Sequence, residues 1–140
     1  MSPETLAWIE KQKPDLVRSA EDYVKQTKLF KRKGRGDHPR VSGSQLRNLL
    51  SAAQSGSPLA VLINFLHYQI GRKNQGWADQ RSGEELGKLL DKDIRRLSRE
   101  GAKQKGAEDV YELESHLAAQ LLGFVIREYT YRCSVEGTRP

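Results

Sequence analysis

The chain has 140 residues, of which 24 are Lys or Arg and 18 are Asp or Glu, so its formal net charge is +6. This length suits a single domain, and one cysteine, Cys133, leaves no partner for an internal disulfide and too few thiolates for a cysteine-based zinc site. Neither a signal peptide nor the run of about 18 apolar residues that a membrane span needs is visible, so we expect a cytoplasmic protein without membrane contact.

Hydrophobic spacing predicts an all-α fold, a compact bundle of five to six helices within a single helical domain, residues 1–140. A short N-terminal helix, residues 1–13, is expected to end at Pro14, and a second helix to run from Asp15 to about Leu29. Residues 31–43 contain Gly34, Gly36, Pro39 and Gly43 and show no periodicity, which predicts a mobile basic loop.

Four more helices are predicted after the basic loop. A third helix, capped by Ser42 or Ser44, presents an apolar stripe and ends at Gly56. The fourth, Leu59 to about Ile70, is apolar on most sides, which predicts a central helix or one that also faces a second subunit. The remaining predictions are a fifth helix after a capping box at Ser82–Glu85, a last helix from about Glu108 to Tyr131, and a frayed C-terminus, residues 132–140.

The positive charge is concentrated in one segment. Residues 25–40 hold seven basic residues and one acidic residue, a net of +6, and the rest of the chain holds 17 of each sign. A clustered excess of this kind predicts a polyanionic partner, with nucleic acid first. The alternative is a solvated loop that keeps the protein soluble.

Guanidinium and ammonium groups on a glycine-rich loop can follow a sugar-phosphate chain without sequence preference. Phe30 is the one aromatic residue close to this loop, so we expect phosphate contacts rather than base stacking. Arg47 falls off the buried stripe of the third helix and is placed to reach the same strand. The RNA-binding residues inferred from charge are Lys31, Arg32, Lys33, Arg35 and Arg40.

No catalytic constellation is visible in the sequence. The histidines, His38, His67 and His116, are scattered, and Cys133 has no neighbouring base. The acidic residues of the fifth helix suit capping and salt bridges with its Lys and Arg side chains better than a metal site. We therefore expect no reaction, no metal and no cofactor.

A family resemblance rests on two stretches of the chain. The run Ser42-Gly43-Ser44-Gln45-Leu46-Arg47-Asn48-Leu49-Leu50, followed by an apolar helix ending Tyr68-Gln69-Ile70-Gly71-Arg72-Lys73, resembles the small helical subunit of type III-A (Csm-type) CRISPR–Cas effector complexes. The segment from Leu117 to Tyr131 is similar to the family's final helix. The resemblance covers roughly residues 40–132, and Gln45-Leu46-Arg47 is its sharpest motif. Leu49-Leu50 stand where aromatics are common, and the joints at 71–83 and 101–106 are glycine-rich, which leaves another type III subtype open.

The resemblance implies a non-catalytic subunit of a prokaryotic antiviral ribonucleoprotein. Copies of such a subunit stack head to tail, line the channel in which guide RNA pairs with target RNA, and bridge the backbone subunits to the large subunit. Arg47 carries over by motif as an RNA-binding residue, and Arg72 and Lys73 are a looser match.

Two other functions remain open from the sequence. The third and fourth helices could form the helix-turn-helix of a small DNA-binding regulator, although the helix from Leu59 has few polar residues with which to read bases. An enzyme of unseen type would depend on His67 or His116.

Overall fold

The structure, a computed structural model, describes residues 1–72, 77, 79–105 and 110–140. The α-helices of this part of the chain are α1 (Pro3–Thr27), α2 (Gly43–Gln54), α3 (Leu59–Gly71), α4 (Gln80–Leu89), α5 (Arg95–Lys105) and α6 (Val110–Glu136). A π-helical turn, Leu90–Ile94, joins α4 directly to α5. The predicted all-α bundle is confirmed. Lys73, Gly106 and the predicted helix start at Glu108 lie outside the described residues.

Helix α1 continues through Pro14, where the sequence predicts two helices. Ser2 caps its start, with the Ser2 hydroxyl accepting from the Thr5 N–H at 3.1 Å. Pro14 is exposed, so water can bond the carbonyl of Glu10 that loses its helical donor. Interior proline costs a helix about 3 kcal/mol. Burial of Trp8 and Leu16 on either side of the proline offsets this, since each large apolar side chain contributes about 1.5–3 kcal/mol.

Helix α6 is the centre of the bundle, one of the two positions predicted for the Leu59 helix; that the Leu59 helix also faces a second subunit stays a prediction. It packs against α1, α2 and α5, and Leu117, Leu121 and Val125 are fully buried along it. Helix α3 lies nearer the surface, where Val61 and Tyr68 are 54% and 57% exposed. Apolar composition alone does not show which of the two helices is central, because it does not show which helix face lacks a packing partner.

The first turn of α3 is capped from α6. Pro58 precedes the helix and supplies no side-chain cap. Instead, the buried carboxylate of Glu114 accepts from the Leu59 N–H at 3.1 Å, and its other oxygen lies 3.9 Å from Arg95. This buried charge is therefore satisfied by a helix N-terminus and a guanidinium.

The start of α4 differs from the predicted capping box. The helix begins at Gln80, and Ser82 lies inside its first turn, where its hydroxyl donates to Asp79 at 2.8 Å. The Ser82 carbonyl accepts from the buried hydroxyl of Tyr23 at 2.6 Å. The helix thus begins two residues before the serine that the local pattern selects, and a tertiary contact with α1 accompanies this earlier start.

The last residues of the chain also depart from the expected frayed end. Helix α6 continues to Glu136, and Gly137 ends it with a φ of +79°. The Thr138 side chain is buried, and its hydroxyl donates to the Phe30 carbonyl at 2.8 Å. Across the described residues, none of the helices has the length and apolar character required to cross a membrane.

Candidate nucleic-acid interface

The segment between α1 and α2 is a short hairpin, which we call the basic hairpin (residues 29–41). Its two arms are joined by the Lys33 N–H to the His38 carbonyl at 2.9 Å and by the Arg40 N–H to the Lys31 carbonyl at 2.8 Å. Gly34, with a φ of +65°, occupies the turn. The mobility expected of residues 31–43 stays a prediction.

Helix α6 and the residues after it hold the basic hairpin in place. The Tyr129 hydroxyl donates to the Val41 carbonyl at 2.5 Å, and the Arg139 N–H donates to the Asp37 carbonyl at 2.7 Å. Burial, together with the neighbouring Cys133, raises the pKa of Tyr129 above its ordinary value, so this hydroxyl remains a donor. The hairpin is therefore positioned by residues that lie far along the chain.

Two of the predicted RNA-binding residues are paired with carboxylates. Lys31 lies 3.2 Å from Glu136, and Arg32 lies 3.3 Å from Asp37. The Arg32 guanidinium also donates to the Glu136 carbonyl at 3.5 Å. Such exposed pairs add about 0–1 kcal/mol each. Lys31 and Arg32 thus contact Glu136 of α6, and each has a carboxylate partner.

Five other cations form what we call the cationic patch. None of them has a carboxylate partner among the residues that the structure describes; they are Lys33, Arg35, Arg40, Arg47 and Arg139. Lys33, Arg40 and Arg139 line one cavity of about 260 Å³, together with His38, and its described lining contains no Asp or Glu side chain. Arg139 was not predicted, because the sequence places it in the expected frayed end.

Four of the five cations of the patch lie near the start of α2: Lys33, Arg40, Arg47 and Arg139. Ser42 caps this helix, accepting from the Ser44 N–H at 3.1 Å, and lines the same cavity. The Arg47 guanidinium turns back over the first turn and lies 3.4 Å from the Ser44 hydroxyl. An added Cβ on Gly43 would lie 2.9 Å from this guanidinium. Because a helix N-terminus carries partial positive charge, it adds to the positive potential of the neighbouring arginines.

The end of α3 lies beside this region. The Gln69 amide donates to the Gln45 carbonyl at 3.3 Å, which joins the last turn of α3 to the first turn of α2. Arg72 follows one turn later, with its guanidinium carbon 5.4 Å from the centre of the Tyr68 ring. Arg72, one of the two residues matched loosely by the resemblance, thus follows the turn of α3 that contacts α2. The other, Lys73, lies outside the described residues.

A larger groove between α1 and α4 has mixed charge. It has a volume of about 660 Å³ and is lined by five cations and four carboxylates: Lys28, Arg40, Arg81, Lys88, Lys92, Asp22, Asp79, Glu85 and Asp93. Carboxylates repel phosphate, so this groove suits a polyanion less well than the cationic patch does.

The three histidines lie on separate elements. His38 is on the hairpin, His67 is exposed on α3, and His116 lies on α6, where burial and nearby Lys13 lower its pKa. Cys133 is buried, and burial raises the pKa of its thiol, which keeps it protonated at neutral pH. Within the described ranges, no group of three His, Cys, Asp or Glu side chains is placed to hold a metal ion.

The acidic residues of the predicted fifth helix form ion pairs with its cations. Asp91 pairs with Arg95 at 2.9 Å and Glu85 with Lys88 at 3.4 Å, in agreement with the salt bridges expected there. Glu84 accepts instead from the Gln80 amide at 2.8 Å.

Comparison of the chain with protein-family models finds no match, and comparisons with curated proteins and with solved structures find none either.

Proposed function

We propose that this protein binds RNA through phosphate contacts of the cationic patch and catalyses no reaction. The observation that carries the proposal is the gathering of Lys33, Arg40, Arg47 and Arg139 near the start of α2, beside a cavity whose described lining contains no Asp or Glu side chain. Arginine pairs with phosphate oxygens through two N–H groups, and a capped helix start adds backbone donors.

The finer proposal is a structural subunit of a type III CRISPR ribonucleoprotein. It rests on the resemblance at Gln45-Leu46-Arg47, and it is supported by the position of Arg47 within the cationic patch. In this role the chain lines the channel that holds guide RNA and target RNA. Its protein partners are the backbone subunits, the large subunit and further copies of itself.

Recognition of duplex DNA by α3 is the competing mode. The first turn of a recognition helix normally enters the major groove. In this protein the start of α3 is buried: Leu59 is fully buried, and its N–H donates to the buried carboxylate of Glu114. We therefore favour a single-stranded RNA ligand.

Fluorescence anisotropy with a labelled single-stranded RNA tests the proposal. The variant replaces Lys33, Arg35, Arg40 and Arg47 with Ala. The matched control replaces Lys11, Lys92, Arg99 and Lys103, four exposed cations outside the patch, so that both variants lose the same charge.

We expect the patch variant to bind at least about tenfold more weakly than wild type, which corresponds to about 1.4 kcal/mol. The control should stay within about threefold of wild type, since dispersed charge contributes less than contact with phosphate. Circular dichroism checks that both variants fold. Equal affinities of the two variants, or tighter binding of a particular DNA duplex than of RNA, would reject the proposal.

A further inference from the structure

Three planar side chains follow one another along the second half of α3 and just past its end, and we call them the α3 ladder (Phe65, Tyr68 and Arg72). Phe65 is half-buried against the core, and Tyr68 and Arg72 are exposed. The rings of Phe65 and Tyr68 are stacked, with centroids 6.5 Å apart and planes 18° from parallel. The Arg72 guanidinium carbon lies 5.4 Å from the Tyr68 centroid. Tyr68 is 57% exposed, so a large aromatic side chain of α3 is left open to solvent.

The end of α3 that carries the ladder is joined to the first turn of α2, where Arg47 of the cationic patch lies. Phe65 and Arg72 stand four residues before and three residues after Gln69, and therefore share its side of the helix. Gln69 is buried between two hydrogen bonds: its amide donates to the Gln45 carbonyl at 3.3 Å, and its side-chain oxygen accepts from the Trp77 indole at 3.1 Å. This network holds the ladder against α2, whose first turn is covered by Arg47.

We propose that the α3 ladder stacks unpaired nucleobases of the strand whose phosphates lie on the cationic patch. The inference rests on the proposed function and adds contacts to the nucleobases, which the phosphate contacts leave unbound. Aromatic rings and guanidinium planes stack on any base, so the ladder increases affinity without reading sequence.

The sequence predicts no base stacking, because Phe30 is the one aromatic residue close to the basic segment. Phe30 is 7% exposed and packs in the core, so it is not available to a ligand. The aromatic rings that can serve are 35 and more residues further along the chain, and tertiary packing brings them beside the patch.

A base is a better occupant of this surface than a second protein. The other strongly exposed apolar side chain on α3 is Val61, so the described apolar surface there is narrow. A stable protein interface buries about 800 Å² on each partner. A stacked base covers only about the area of one aromatic ring, and the cationic patch supplies cations for its phosphate.

Two probes of equal length and phosphate count separate stacking from phosphate binding. One is oligouridine, and the other is an abasic oligonucleotide. Each is titrated against wild type, Tyr68→Ala, Tyr68→Phe and the four-residue patch variant, and sedimentation velocity records the oligomeric state of every protein.

We expect wild type to bind oligouridine at least about fivefold tighter than the abasic probe. Tyr68→Ala should remove this difference while its affinity for the abasic probe is retained, and Tyr68→Phe should restore the difference because it keeps the ring. The patch variant should lose affinity for both probes.

Equal binding of the two probes by wild type would reject the ladder and leave phosphate binding intact. No binding of either probe would reject the proposed function as well. A change of sedimentation in Tyr68→Ala, or equal weakening of both probes, would assign Tyr68 to a protein contact or to folding and overturn the inference.

Discussion

At the scale of single residues, the structure separates cations that hold the fold together from cations that face solvent. Lys31 and Arg32 are neighbours of Lys33 in sequence, but they pair with Glu136 and Asp37. Lys33 has no such partner in the described part of the chain. Charge counting treats the three alike, so it overestimates the part of the hairpin that is available to phosphate.

Removal of Glu114 tests whether its carboxylate stabilises the start of α3. Glu114→Ala leaves the buried N–H of Leu59 without an acceptor, and an unsatisfied buried donor costs about 1–3 kcal/mol. We expect a loss of that size in the free energy of unfolding, measured by urea denaturation.

Glu21→Ala on the exposed side of α1 is the control for Glu114, and its effect should stay within about 0.5 kcal/mol. If the two substitutions changed the free energy of unfolding equally, the capping role of Glu114 would be wrong.

At the scale of helices, close approach depends on small residues. A Cβ added to Gly83 would lie 2.6 Å from Ile70 on α3 and 3.2 Å from the Trp77 ring. The same atom on Gly123 of α6 would meet nothing within 4 Å. Glycine is therefore required for packing at the first position, and the second leaves room for a larger residue.

Alanine substitution at these two glycines should have opposite effects. Gly83→Ala overpacks the contact between α3 and α4, which we expect to lower the free energy of unfolding by about 1–3 kcal/mol. Gly123→Ala should raise it by up to about 1 kcal/mol, because alanine favours the helix interior. Thermal denaturation followed by circular dichroism compares them, and a stabilising Gly83→Ala would contradict the packing described here.

At the scale of the whole molecule, the net charge of +6 has a localised effect. The cationic patch draws Lys33, Arg35 and Arg40 from the segment counted in the sequence and adds Arg47 and Arg139 from elsewhere. Its contribution to RNA binding should therefore appear in the salt dependence of the affinity.

The affinity K falls as salt rises, and each phosphate neutralised on a single strand contributes about 0.7 to the magnitude of the slope of log K against log salt. Because the patch variant lacks four cations, we expect the magnitude of its slope to be lower than that of wild type by about 3. Anisotropy titrations from low to moderate salt give both slopes. The charge-matched control should retain the wild-type slope, and an unchanged slope in the patch variant would show that its four cations do not contact phosphate.

The fold was largely predictable because helical periodicity is a local signal. The apolar stripes of α2 and α6 and the apolar run of α3 identified those helices within a few residues of their observed limits. The errors fall where distant residues override a local signal. Burial of Trp8 and Leu16 carries α1 through Pro14, and the contact of Tyr23 with Ser82 accompanies an earlier start of α4.

Fold class, the clustering of positive charge and the single thiol can be read from the order of residues, because each depends on composition or on neighbours in the chain. The site cannot, because it is assembled across long separations. Tyr129 reaches Val41 over 88 residues, and Thr138 reaches Phe30 over 108. Those contacts hold the hairpin against α6, where Lys31 meets Glu136, and they bring Arg139 to the hairpin. Packing between distant residues, which no local pattern encodes, therefore selects the surface that a ligand can meet.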